Sequence, residues 1–123
     1  MAQPQLMHQP KVMSASTLTG DSVVNLQNES LGKIEHIMLD LASGRVAYAV
    51  LSFGGFLGMG DKLFAIPWSS LTVDTENKQL VLNIDKKLLD NAPGFDNEHW
   101  PNMADRTWAT GINKYYGARP YWE

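Results

Sequence analysis

The sequence predicts a mainly β domain of about six strands, followed by a helical, aromatic-rich C-terminal extension. Three observations predict it. Residues 71–84 alternate apolar and polar on both arms of a hairpin, the period-two pattern of half-buried strands. The stretch from Arg45 to Phe53 is apolar at both parities, with Val46, Tyr48 and Val50 on one side and Ala47, Ala49, Leu51 and Phe53 on the other. Such a strand needs cover on two faces, which a small sheet obtains by curling into a barrel or by packing its outer face on a helix or a partner. Finally, seven of the twelve aromatic residues fall in the 29 residues from Phe95 onward. That is too much apolar area for a disordered tail.

In chain order, residues 1–15 are rich in Gln, Pro, Met and Ser without periodicity and are expected to form a flexible N-terminal arm. Residues 16–26 read as a turn at Gly20-Asp21 and a short strand at Val23-Val24. Residues 31–41 place Ile34 and Ile37 at opposite parity. They can share a face only through a β-bulge at Glu35-His36; otherwise both faces are partly covered. Ala42-Ser43-Gly44 closes a hairpin onto the strand Arg45–Phe53. A second strand from Lys62 stops at Pro67, which has no N–H to give to a ladder, and Trp68-Ser69-Ser70 turns the chain. In the 71–84 hairpin, Asn77 is the residue best suited to positive φ. Asp85 should cap a helical turn over 86–90 that Pro93-Gly94 ends. Asn102, or a residue just before it, should cap a last helix through about Tyr116, with Trp108, Ile112 and Tyr115 on one face and Gly117 past its end. The divisions expected are an arm over 1–15, a barrel over 16–84 and an extension over 85–123.

The 123 residues suit one domain plus extensions, and the 44% hydrophobic and 19% charged fractions are ordinary for a soluble protein. The absence of cysteine removes disulfides, thiolate metal sites and cysteine nucleophiles, and suits a reducing compartment. A net charge of −3 with no basic run beyond Lys86-Lys87 argues against nucleic acid as a partner. No apolar run approaches the ~20 residues of a membrane span, and the N-terminus has neither the basic start nor the apolar core of a signal peptide. The expected location is the cytoplasm.

The order and spacing of several short motifs are more specific than any one of them. They are Gly20-Asp21-Ser22-Val23-Val24, Leu31-Gly32-Lys33-Ile34 with Met38-Leu39-Asp40, Ser43-Gly44-Arg45-Val46-Ala47-Tyr48-Ala49-Val50, and Phe64-Ala65-Ile66-Pro67-Trp68. Together they resemble the PRC-barrel family. That domain is shared by the cytoplasmic part of the photosynthetic reaction centre H subunit and the C-terminal part of the ribosome-maturation factor RimM. The block from Trp100 to Trp122 is similar to the tail of stand-alone bacterial members. The resemblance implies a small, partly open antiparallel PRC-type β-barrel of about six strands that binds proteins and has no catalytic centre. Ribosome or RNA-processing association, as in RimM, and association with a photosynthetic complex, as in the H subunit, are the alternatives it offers.

The loop 54–61 is glycine-rich but has neither nucleotide-binding fingerprint. It is either a plain connection or a contact surface offering Phe56, Leu57 and Met59. His36, flanked by Glu35 and near Asp40, and His99, beside Glu98, lack ligand-like spacing and read as surface or hydrogen-bonded histidines. Ser69-Ser70 reads as a turn rather than a nucleophile. No metal, cofactor or catalytic residue is expected. Trp108, Tyr115, Tyr116, Arg119, Tyr121 and Trp122 are of the residue types that anchor interfaces. They dock either on their own barrel or on a second subunit; the expectation is a homodimeric adaptor or regulatory module with a protein partner.

Overall fold

The computed structural model describes residues 12–53 and 62–123. The candidate contact residues Phe56, Leu57 and Met59 lie outside the described residues. Six strands form one sheet: β1 (Ser22–Val24), β2 (Ser30–Asp40), β3 (Arg45–Phe53), β4 (Lys62–Pro67), β5 (Leu71–Asp74) and β6 (Gln79–Leu82). Among the described residues three α-helical segments accompany them: α1 (Ala15–Leu18), α2 (Lys86–Asp90) and α3 (Arg106–Tyr115).

The strand order is β4-β3-β2-β1-β6-β5. β4 and β5 are therefore the two edges of the sheet, yet only the 3-10 turn Trp68–Ser70 separates them in the chain. Three residues cannot cross the width of a flat six-stranded sheet, so the sheet must curl until its edges meet at that turn. Every pairing is antiparallel except β1 with β6, which is parallel. Those two strands lie far apart in sequence, so no hairpin dictates their relative direction.

Bulges supply the curl. Val23 faces Gly32 while Val24 faces Ser30, so Leu31 is the extra residue on β2. Ile34 faces Leu51 while His36 faces Val50, so Glu35 is extra. That bulge, one of the two alternatives left open by the parity of Ile34 and Ile37, lets both contribute to the barrel core. A third, unexpected bulge lies on β3, where Met38 faces Tyr48 but Leu39 faces Val46. It moves Ala47 out of the parity of Ala49 and Leu51, and Ala47 joins Tyr48 on the outer face.

The barrel interior is filled. Val23, Leu31, Ile34, Leu51, Phe64, Ile66, Leu80 and Leu82 are all at most 1% exposed. Leu89 of α2 and Ala92 join the same core, so the packed unit continues past the last strand.

Some local details differ from expectation. Residues 15–18 form a helical turn capped by the Ser14 hydroxyl, which accepts from the Ser16 N–H. In the β5–β6 turn it is Lys78, at φ 53°, that takes positive φ. Asn77 instead donates its backbone and side-chain N–H groups to the Asp74 carboxylate, an alternative that local side-chain bonding offers Asn in any turn. α3 starts later than expected. Asp105 is its N-cap, accepting from the Thr107 N–H at 2.9 Å, whereas Asn102 caps only the preceding turn through the Ala104 N–H. Asp85 caps α2 as expected. Phe95 and Leu63 exchange two backbone hydrogen bonds of 2.8 Å, which satisfies part of the exposed edge of β4.

Candidate interaction surface

The outer face of β3 and β4 is covered by the chain's own C-terminal segment. Ala47, Tyr48 and Ala65 pack against Ala109 and Ile112 of α3, with Met38, Phe95, Met103, Trp108, Tyr116, Tyr121 and Trp122 around them. Tyr48 is the centre of this layer. It is 1% exposed, and its ring meets the edges of Trp108 at 5.3 Å and Tyr121 at 6.1 Å. Edge-to-face pairs of this kind add about 0.5–1.5 kcal/mol to the area they bury. Asn113 on α3 is also buried; its Nδ2 donates to the Ala109 carbonyl and sits 3.5 Å from the Tyr48 hydroxyl. Burial raises the Tyr48 hydroxyl's pKa, so it stays a neutral hydroxyl across the ordinary pH range.

A polar clasp holds the last residues. Tyr121 donates its hydroxyl to the Asp40 carboxylate at 2.7 Å, and Arg45 donates from Nη1 to the Tyr121 carbonyl at 2.7 Å. Asp40 and Arg45 flank the β2–β3 hairpin turn, so the hairpin end grips the tail. The Arg106 guanidinium lies over the Trp122 ring at 4.2 Å, and Trp122 meets Tyr121 edge-to-face at 5.1 Å.

The Tyr121 bond is the leading cause that holds the Asp40 carboxyl below its usual value, helped by the Ser43 and Ala42 N–H groups. The same bond pushes Tyr121 up to about 12. A raised tyrosine contributes stability that is complete below its unfolded value, near 10, and is lost as pH rises through about 12. A depressed carboxyl contributes stability above its unfolded value, near 4, that is lost in acid. The clasp is thus closed throughout the neutral range. An ultraviolet titration should show a tyrosine ionising near pH 12 that disappears in Tyr121→Phe. Uniform ionisation of all tyrosines near pH 10 would contradict the bond.

The sequence-proposed anchors therefore divide. Trp108, Tyr121 and Trp122 are half-buried in the outer layer. Tyr116 contacts both the outer layer and the barrel core, and Tyr115 packs on the barrel core. The Tyr115 hydroxyl also donates to the Leu88 carbonyl, tying α3 to α2. Arg119 is exposed. Of the two histidines weighed as ligands, His36 packs its ring against Trp100 at 5.1 Å, and His99 Nδ1 lies 2.7 Å from Asp96. Among the described residues no cluster of three or more His, Asp or Glu groups is placed to hold a metal ion.

What sequence reasoning missed is the exposed rim beside the clasp. Leu39 is 55% exposed and Leu41 is 89% exposed, on either side of Asp40. Their apolar character was visible, but that both stand in solvent beside the half-buried Ile37 and Met38 was not.

The PRC-barrel domain family matches residues 10–89. The chain belongs to the PRC-barrel family. The fold agrees: the curled six-stranded sheet, opened between β4 and β5, is the barrel of this family. Among solved structures, the PRC-barrel chain is similar to a 16S ribosomal RNA processing protein, RimM, of Pseudomonas aeruginosa. The two are 18% identical, with a TM-score of 0.42; the similarity covers 66% of this chain and 48% of that one. The region alike is therefore about half the length of that protein. No curated protein matches the chain. No helix among the described residues is long and apolar enough to cross a membrane.

Proposed function

We propose that this PRC-barrel protein is a non-catalytic, self-associating protein-binding module of the cytoplasm, acting as an adaptor or regulator through its outer surface. One observation carries the reading: the barrel interior is filled with side chains that are at most 1% exposed, while Leu39 and Leu41 stand in solvent at the rim. A filled small barrel leaves no room for a substrate inside, so binding falls to the exterior. The aromatic tail, an obvious candidate for a subunit contact, is already engaged on its own barrel. Self-association is therefore assigned to the hairpin rim.

The test pairs sedimentation with cross-linking in the native host, for the wild type and a Leu39→Ser/Leu41→Ser variant. Both side chains are largely exposed, so the melting temperature should scarcely move, within about 0.5 kcal/mol of stability. The wild type should self-associate at micromolar concentration and cross-link to protein partners, and the variant should lose both. A monomeric wild type that captures nothing, or a variant that retains every contact, would refute the proposal.

A further inference from the structure

A groove of about 400 Å³ runs between the turn Trp68–Ser70, the end of β6 and the segment after α3. Ser69, Ser70, Asn83 and Arg119 supply its polar rim, and Ile84 and the Tyr116 ring supply its apolar wall. The residues that line it include one cation and no acid. Arg119 forms no ion pair among the described residues. The Tyr116 hydroxyl is buried without a hydrogen-bond partner among the described residues, so it is the ring of Tyr116, not its oxygen, that faces the groove.

A second groove, of about 390 Å³, shares Asn83 and Ile84 with the first and is lined further along by Glu29 and Asp85. The two adjoining grooves thus present a cation at one end and acids at the other. A phosphate group or an acidic run would meet repulsion from the second half. One planar carboxylate on the Arg119 fork, followed after a few residues by an ammonium or guanidinium, matches both ends.

Resting on the protein-binding reading above, we infer that these two adjoining grooves take an extended peptide segment of a partner protein. Its Asp or Glu lies at Arg119, an apolar side chain lies on Ile84, and a Lys or Arg faces Glu29 and Asp85.

The test titrates the isotope-labelled full chain with a blocked pentapeptide that has glutamate first, lysine last and three apolar residues between. Saturating amide shifts are expected at Ser69, Ser70, Asn83 and Arg119. Changing the peptide's glutamate to glutamine, or making Arg119→Gln, should weaken binding about tenfold or more, equivalent to about 1.4 kcal/mol. Arg119 is exposed, so the variant should fold normally. Three results would overturn the assignment: no shifts at these amides up to millimolar peptide, equal binding by the glutamine peptide, or identical shifts and affinity with acetate alone. Capture through Leu39 and Leu41 reads a different surface, so failure of the peptide would leave the module reading standing, and the converse holds too.

Discussion

Gly32→Ala should unfold or severely destabilise the protein, by about 3–5 kcal/mol in a denaturant titration. Gly32 has φ +116°, a conformation that side chains rarely adopt, and it sits next to the Leu31 bulge where β1 and β2 change register. A Cβ there would meet the Ser52 carbonyl oxygen at 2.0 Å and its carbonyl carbon at 3.0 Å. Those are backbone atoms of β3, which β4 holds on its other side. Relief would require β2 to move away from β3, the most extensively paired strands of the sheet, so the cost reaches the ladder as well as the local dihedral. By contrast, Gly44→Ala meets no atom within 4 Å. It should cost only the strain of its φ of +73°, on the order of 1 kcal/mol. Equal effects at the two glycines would refute the packing argument.

Tyr48→Ala should cost about 3–5 kcal/mol, the range for removing a large buried aromatic ring. The ring is fully buried between β3 and the tail, and two aromatic neighbours lose their shared contact. The loss should be visible as a collapse of the near-ultraviolet circular dichroism of Trp108 and Tyr121, with the far-ultraviolet spectrum retained below the unfolding transition. Tyr48→Phe should be mild, because the hydroxyl's one hydrogen-bond partner among the described residues, Asn113 Nδ2, already donates to the Ala109 carbonyl. If Tyr48→Ala were as mild, the tail would be an ornament rather than the second face of the core.

Much of the fold was legible because it is encoded locally. Alternation marked β5 and β6, the double-faced pattern marked β3, and the clash of parity between Ile34 and Ile37 left a Glu35 bulge as one of two alternatives, which the register of β2 on β3 decides. The Asp85 cap and the C-terminal Gly117, at φ +67°, follow from backbone chemistry within one turn. The Ala47 bulge left no such trace, since the run from Val46 to Leu51 is apolar at both parities. Asn77 lost its expected role because its side chain had a nearer use on Asp74.

The surface was less legible. That the aromatic tail must cover something followed from composition, but which protomer it covers did not. The deciding contacts join Asn113 to Tyr48 and Tyr121 to Asp40 across 65 and 81 residues of sequence. No local pattern carries such pairings. The Tyr116 hydroxyl was equally hidden, because a tyrosine on an aromatic helix face reads as ordinary core until its oxygen is found without a partner.

The central claim is that the C-terminal segment closes the outer face of its own barrel, leaving the rim and the exterior grooves for partners. Isotope-filtered NMR on an equimolar mixture of labelled and unlabelled protein tests it most directly. The account predicts strong contacts from the Tyr48 ring to Trp108 and Tyr121 within a chain, and none between chains. Contacts from Tyr48 of one copy to Trp108 or Tyr121 of another would show the tail exchanged between subunits and contradict it.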